Sequence, residues 1–332
     1  MTQSWSLNAQ TEIAKDWLLE VGYVGTRGTR LVGFRDFNQA YLATPSNPIN
    51  GVTTSTVGNA IARVPTIGVD PSASGPETFG ASWYNALQTS LTKRFNHGLT
   101  LQASYTWDKT LDNLAQTSGI NTVWGGFYVG DVHNMKTGWG PSEFDHPQRF
   151  VFNYVWDLPG PKNKNAVLDK VVGGWQVSGV TTIQAGHPLI LYDANSGSIY
   201  GVFNSLAQLC PGMTVANIAT SGSVNRRLNN YFNTNAFCNP PAISDGFGFG
   251  TLSRGAVHGP DQNNYDIAIA KRFLVGGINE TGTVEFRTEF YNAFNHAQFA
   301  DPGTNVSLSN FGQIGSTSVA PRLIQFALKY VF

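Results

Sequence analysis

Charged residues, cysteines and long apolar runs are all scarce in this sequence. Only 13% of the 332 residues are charged, and 21 basic residues balance 21 acidic ones. Because neither sign is in excess, the composition predicts no nucleic-acid partner. No stretch reaches the roughly 18 consecutive apolar residues that a membrane helix requires. The amino-terminal segment also lacks the basic start, the apolar stretch and the cleavage site of a secretory signal.

The residues that are abundant favour β-structure. The sequence contains 36 Gly, 21 Phe, 12 Tyr and 8 Trp, which is a mixture of turn-formers and strand-formers. Apolar and polar residues alternate in about nine segments, which we interpret as strands. They cover roughly residues 3–14, 16–25, 83–95, 99–107, 149–159, 174–184, 264–273, 283–292 and 322–332. Since the first alternation is already present near residue 5, we expect that residue 1 is not the natural start of the protein.

The length of these segments points towards a membrane. Most have about 9 to 11 residues, which is the length that a tilted strand needs to cross a bilayer, whereas common soluble strands have about 5 to 6. The clearest example is "LTLQASYTW", with Leu99, Leu101 and Tyr105 on one side and Gln102 on the other. A soluble sandwich also alternates in this way, so length leaves both classes open.

The connections between the segments separate these two classes. Short connections at Lys15, Asn96–Gly98, Leu158–Gly174 and Leu274–Gly282 alternate with long ones at Thr26–Ser82, Asp108–Asp145, Ala185–Asn263 and Ala293–Pro321. Outer-membrane barrels have short periplasmic turns and long external loops, while a sandwich has no reason to sort its loops. We therefore predict an all-β, antiparallel, up-and-down transmembrane β-barrel that is partial, with about nine strands in this chain. It would lie in the outer membrane of a Gram-negative bacterium.

Cys210 and Cys238 lie in the same predicted external loop. A disulfide between them would stabilise the loop by roughly 3 to 4 kcal/mol on the chain-entropy model and would indicate an oxidising compartment. Two unpaired thiols are the alternative.

The polar sides of the strands predict a hydrated wall, because such residues are tolerated in a membrane only where water or a polar plug fills the interior. The lumen-facing candidates are Gln102, Gln176, Gln184, Glu285, Arg287 and Glu289. Ligand contact and plain electrostatics that hold a plug in register are equally good interpretations of the charged members.

Signatures of enzymes and metal sites are missing. The six histidines have no i, i+4 pair, and no nucleophile, base and orienting residue form a recognisable set. The stretch "EFDHPQRF" brings Glu143, Asp145 and His146 together, but we interpret it as the polar entry to a strand. We predict no catalytic residue, no metal and no cofactor.

Several blocks resemble the barrel of TonB-dependent outer-membrane receptors of the Oar-like type. They are "SLNAQTEIAKDWLLEVGYVGTRGTRL", "YNALQTSLTKRFNHGLTLQASYTWDKTLDN", "FDHPQRFVFNYVWDLPG", "GGWQVSGVTTIQAGHPL" and "EFRTEFYNAFNHAQFADPGTN". The resemblance implies a longer protein with a plug and a barrel of about 22 strands, of which residues 1–332 form the carboxy-terminal portion. It further implies uptake of a scarce ligand, with energy from the TonB complex acting through the plug.

The resemblance also gives a role to the final segment, "RLIQFALKYVF". In that family the alternating aromatic end, here Phe326, Leu328, Tyr330 and Phe332, is recognised by the barrel-assembly machinery. The remaining expected partners are outer-membrane lipid and the unknown ligand. A soluble secreted carbohydrate-binding protein and a plug-less porin-type channel are the alternatives.

Overall fold

Nine long strands dominate the structure. The computed structural model describes residues 1–96, 98–115, 126–160, 171–203, 205–275 and 282–331. The strands are β1 (Thr2–Ala14), β2 (Trp17–Asp36), β3 (Ser74–Asn96), β4 (Leu99–Asp112), β5 (Gln148–Asp157), β6 (Trp175–Gln184), β7 (Gln262–Leu274), β8 (Thr283–Tyr291) and β9 (Leu323–Val331). Each overlaps one of the predicted segments, with bounds that differ by a few residues or, for β2, β3 and β4, extend beyond it, so the strand prediction is confirmed. No helix in the described part of the chain is long and apolar enough to cross a membrane.

The strands form one antiparallel meander. Each long strand pairs with the strand that follows it in sequence, from β1 through to β9. Within the described residues, β1 and β9 each have a single long neighbour, so the sheet is open at both edges. The predicted all-β, antiparallel, up-and-down topology is therefore confirmed as a partial barrel.

The pairing register sorts the side chains into two faces. Directly paired residues lie on the same face of a sheet. One row runs through Leu101, Tyr154, Gly179, Ile267, Phe290 and Ile324. The adjacent row runs through Thr92, Gln102, Asn153, Val180 and Asp266. The sheet thus has one apolar face and one mainly polar face.

The connections alternate in length as predicted. The four long loops are loop 1 (37–73), loop 2 (113–147), loop 3 (185–261) and loop 4 (292–322), and all lie at the same end of the sheet. The short connections lie at the other end, where Gly98 has a φ of +80° and a Cβ would lie 2.6 Å from the carbonyl oxygen of Asp157. Glycine is therefore required in this turn.

The first long connection is shorter than the predicted Thr26–Ser82. Strands β2 and β3 continue as a paired hairpin to Asp36 and from Ser74, with register shifts on both sides of Leu31. The sequence does not alternate in this part of the hairpin. A paired strand beyond the bilayer has no contact with lipid, and it therefore needs no apolar side. β-bulges and glycines interrupt the pattern further.

The long loops pack together into a folded unit, the loop cap, with its own apolar core. Its main cluster combines residues of loops 3 and 4 around Phe232, Leu191 and Phe311, which are buried. A second cluster joins Ala115 and Val129 of loop 2 to Ile190 and Leu206 of loop 3. The apolar core of the molecule is therefore located in the loop cap, whereas the strand end opposite it consists of short turns.

Candidate functional site

The polar face of the sheet lines a groove. A cavity of about 500 Å³ is bordered by Thr92 on β3, Gln102 on β4, Asn153 on β5, Ser178 on β6, Asp266 on β7 and Glu289 on β8. A single cavity bordered by six consecutive strands requires that the sheet curls around this face. The polar face is therefore concave and the apolar face convex, as in a barrel wall.

All six lumen-facing candidates lie on the polar face according to the register. Gln102, Arg287 and Glu289 line the groove itself. Gln184 lies at the loop end of β6, where its amide is 3.4 Å from that of Gln262. The other two, Gln176 and Glu285, lie nearer the short turns.

The three charged candidates on this face, Glu285, Arg287 and Glu289, form ion pairs. Arg287 lies 2.7 Å from Glu289, which also accepts a hydrogen bond of 3.0 Å from the hydroxyl of Tyr291. Arg272 lies 2.7 Å from Glu285 across the β7–β8 pair. In these contacts the positive and negative charges neutralise each other. The wall therefore has no concentrated charge there that would select an anionic or a cationic ligand.

The apolar face is exposed, as a lipid-facing surface must be. On β9, Phe326 is 68% exposed and Leu328 is 75% exposed. On β4, Trp107 lies eight positions beyond Leu99, which pairs with Trp156 near the short turns. Eight residues span roughly 27 Å of strand, and about 21 Å after a tilt of about 40°, which is close to the apolar band of about 25 Å in outer-membrane barrels.

The ammonium group of a lysine on the apolar face donates hydrogen bonds to the turn beside it. The register places Lys271 opposite Trp175, and its ammonium lies 5.3 Å from the ring centroids of both Trp175 and Phe273. The same ammonium donates to the carbonyl groups of Val171 and Gly173 in the short connection before β6. The charge is thus drawn away from the bilayer towards the turn side.

Two buried arginines hold the loop cap together. Arg63 of loop 1 donates to the carbonyl of Ile199 in loop 3 at 2.7 Å. Arg254 of loop 3 donates to the carbonyls of Asp112 and Gly138 at 2.9 Å, and of Leu114 at 3.1 Å. Its guanidinium also lies 2.8 Å from the carboxylate of Asp112. Each arginine connects backbone segments that are far apart in sequence.

The two cysteines are joined in loop 3. Cys210 and Cys238 form a disulfide with a Cα–Cα distance of 4.8 Å. The short paired strands Gln208–Leu209 and Phe237–Cys238 bring them together. The bridge closes the part of loop 3 that contributes Phe232 to the cap core.

The residues of "EFDHPQRF" have structural contacts at the mouth of the sheet. Asp145 is buried and accepts hydrogen bonds from the backbone amide of Thr110 at 2.6 Å and from the ammonium of Lys109 at 2.9 Å. His146 lies 2.9 Å from the carbonyl of Ala185 through Nδ1. The interpretation of this stretch as the polar entry to a strand agrees with these contacts.

A second cavity, the loop cavity, lies among loops 2, 3 and 4. It has a volume of about 560 Å³, and Phe144, His187 and Asp301 are among its lining residues. His187 Nε2 lies 3.1 Å from the Asp301 carboxylate, and this hydrogen bond raises the pKa of the imidazole. The same His187 and Asp301 border a smaller cavity of about 160 Å³ that also contacts Gln184 and Gln262.

Sequence reasoning missed the loop cavity and both buried arginines. His187 and Asp301 are more than a hundred positions apart, and no local pattern signals that loops 3 and 4 meet. Within the described residues, no group of three or more His, Cys, Asp or Glu side chains is arranged to hold a metal ion.

The fold defines an outer-membrane β-barrel: long antiparallel strands with an exposed apolar convex face, a polar concave face and loops sorted by length. The family model described as "Outer membrane beta barrel domain" matches residues 1–325, and the chain belongs to this family. It is therefore located in the outer membrane.

One solved structure similar to this chain is the crystal structure of the outer membrane transporter YddB from Escherichia coli. The two chains share 8% sequence identity with a TM-score of 0.48, and the match covers 98% of this chain and 32% of that one. This chain thus spans about a third of the length of that transporter. No curated protein matches it.

Proposed function

We propose that this chain is the carboxy-terminal part of the barrel of a TonB-dependent receptor of the Oar-like type, which takes up a scarce ligand. The observation that carries the proposal is the polar, curled face of the sheet beneath a folded loop cap. A passive channel needs an open mouth, whereas here the loops that surround the mouth have a packed core and buried arginines. The role is therefore ligand capture and transport rather than catalysis.

The open edges of the sheet are consistent with this proposal. Unpaired strand edges and an exposed apolar face are unfavourable for an isolated soluble protein. Further strands would pair with β1 and β9 to give the closed barrel, and a plug would fill the polar interior. Partners of the whole protein would be the TonB complex through that plug, the barrel-assembly machinery, outer-membrane lipid and the ligand.

The proposal is tested with the full-length protein in a planar lipid bilayer and in a pull-down with the periplasmic domain of TonB. A plugged receptor is expected to show no steady conductance and to retain TonB. Steady open-channel conductance without TonB binding would identify a plug-less porin instead. Sequence upstream of residue 1 provides an independent check, because a receptor requires a plug and a signal peptide there.

A further inference from the structure

The loop cavity has the size and chemistry of a ligand site. Its volume of about 560 Å³ falls within the range of about 300–1,000 Å³ that is typical of small-molecule pockets. Three loops contribute to it, and each is fixed by contacts elsewhere in the cap, such as the 2.9 Å hydrogen bond from the Ser307 hydroxyl to Asp193. A pocket that is formed in advance loses little conformational entropy on binding.

One wall of the loop cavity is apolar and accessible. Phe144 is 64% exposed and Leu308 is 54% exposed, although both belong to a cap that buries other large apolar residues. Leu189 and Ile190 extend this wall and are buried. An exposed aromatic ring within a pocket offers a flat surface for the apolar face of a ligand ring.

Other residues of the lining provide hydrogen-bonding groups of both kinds. Asn310 and Gln313 have amides, each of which can donate and accept hydrogen bonds, and Thr304 adds a hydroxyl. Hydroxyl groups also donate and accept, so a ligand with several hydroxyls is complementary to these side chains.

The charges in the lining disfavour an anionic ligand. Glu143 and Asp301 are carboxylates, and among the described residues that line the cavity there is no lysine or arginine. Both carboxylates interact with the imidazole of His187, which can offset at most one of the two negative charges. A hydroxyl-rich ligand without acidic groups is therefore favoured.

We infer that the loop cavity binds a short neutral oligosaccharide, which stacks on Phe144 and hydrogen-bonds to the amides of Asn310 and Gln313. His187 and Asp301 border both this cavity and the smaller one that contains Gln184 and Gln262, at the loop ends of β6 and β7. The inference rests on the proposed function, because it names the substrate class of that receptor.

The test uses the full-length protein in detergent on a glycan array of neutral and acidic oligosaccharides, with spermidine binding measured separately as the cationic probe. We expect binding to neutral glycans and about tenfold weaker binding by Phe144→Ala. Gln313→Ala should also weaken binding. The matched control is Phe203→Ala, since Phe203 is 52% exposed in loop 3 but does not line the cavity.

Three results would overturn the inference: no neutral glycan bound, a preference for acidic glycans or spermidine, or equal losses from Phe144→Ala and Phe203→Ala. Because Phe144 is exposed, its replacement should leave the melting temperature unchanged, which separates lost contact from lost folding. Glycan binding without TonB interaction would contradict the proposed function alone. TonB interaction without glycan binding would contradict only the inference about the site.

Discussion

The guanidinium of Arg254 is a single point where loops 2 and 3 and the end of β4 meet. Its hydrogen bonds go to the backbone carbonyls of Asp112, Gly138 and Leu114. Removal of one partner from a buried charge pair typically costs about 3 kcal/mol, because the remaining carboxylate and carbonyls stay desolvated.

We therefore expect Arg254→Met to lower the local opening free energy of the loop cap by about 3 kcal/mol while the strands remain paired. Hydrogen exchange of the full-length protein in detergent measures this for residues 126–140. The control is Arg226→Met, because Arg226 is exposed in the same loop. Unchanged exchange in the Arg254 variant would contradict the role assigned to it.

The contact between His187 and Asp301 predicts that the junction of loops 3 and 4 depends on pH. The hydrogen bond to the carboxylate raises the pKa of His187 above its ordinary value of about 6.5. The contact therefore stabilises the junction of loops 3 and 4 fully below about pH 6.5. This stabilisation is lost as the pH rises through the raised pKa of His187. Besides Asp301, the groups that act on this imidazole are Glu143, His146 and His258.

Hydrogen exchange of residues 299–303, corrected for the intrinsic pH dependence of the chemistry, should be slow near pH 6 and faster near pH 8.5. Asp301→Asn should abolish this difference, because a neutral amide does not stabilise the imidazolium. His133→Gln should preserve it, since His133 is exposed in loop 2 and stacks on Tyr41. A pH response that persists in Asp301→Asn would rule out this pair as its origin.

At the scale of the strand, two neighbouring positions on β9 test which face meets lipid. Phe326 stacks on Phe286 on the apolar face, whereas Gln325 pairs with Glu289 on the polar face. An arginine in contact with the hydrocarbon core costs about 2–4 kcal/mol near the midplane. The same charge beside the hydrated groove costs little.

Phe326→Arg is thus expected to destabilise the full-length barrel in lipid vesicles, with a decrease of about 2–4 kcal/mol in its free energy of unfolding. Gln325→Arg should change it by less than about 1 kcal/mol. Denaturant titration of both variants measures the difference. Equal effects would mean that the two faces have the same surroundings, which is incompatible with a barrel wall.

The strands and the loops differ in how far the sequence predicts them. A lipid-facing strand shows its structure locally, because every second side chain must be apolar, and the segment around Leu101 and Gln102 was identified from that alternation alone. The hairpin beyond residue 26 was not, since outside the bilayer the alternation is no longer required. The loop cap is specified by contacts such as Arg63 to Ile199, which join residues 136 positions apart and have no local signature.

At the scale of the whole molecule, the meander connects each strand only to its neighbours, so a closed barrel requires a partner strand for both β1 and β9. In the proposed receptor, the segment that ends at Phe332 carries the assembly signal, and Phe332 itself lies outside the described residues. Phe326, Leu328 and Tyr330 are on the apolar face of β9.

Replacement of Phe332 by Asp in the full-length protein is expected to reduce its level in the outer membrane severalfold, because the assembly machinery would no longer recognise the end of the barrel. Immunoblots of outer-membrane fractions measure the effect. Lys329→Gln serves as the control, since Lys329 lies on the opposite face of β9, where it pairs with Glu285. Equal membrane levels of both variants and the parent would contradict the assembly role.

The bridge between Cys210 and Cys238 has a consequence for biogenesis. Loop 3 connects β6 and β7, and it must travel to the cell exterior while those two strands enter the bilayer. If oxidation takes place in the periplasm, the segment that crosses is a covalently closed ring rather than an open thread. The partly formed barrel must then open wide enough between β6 and β7 to admit a ring.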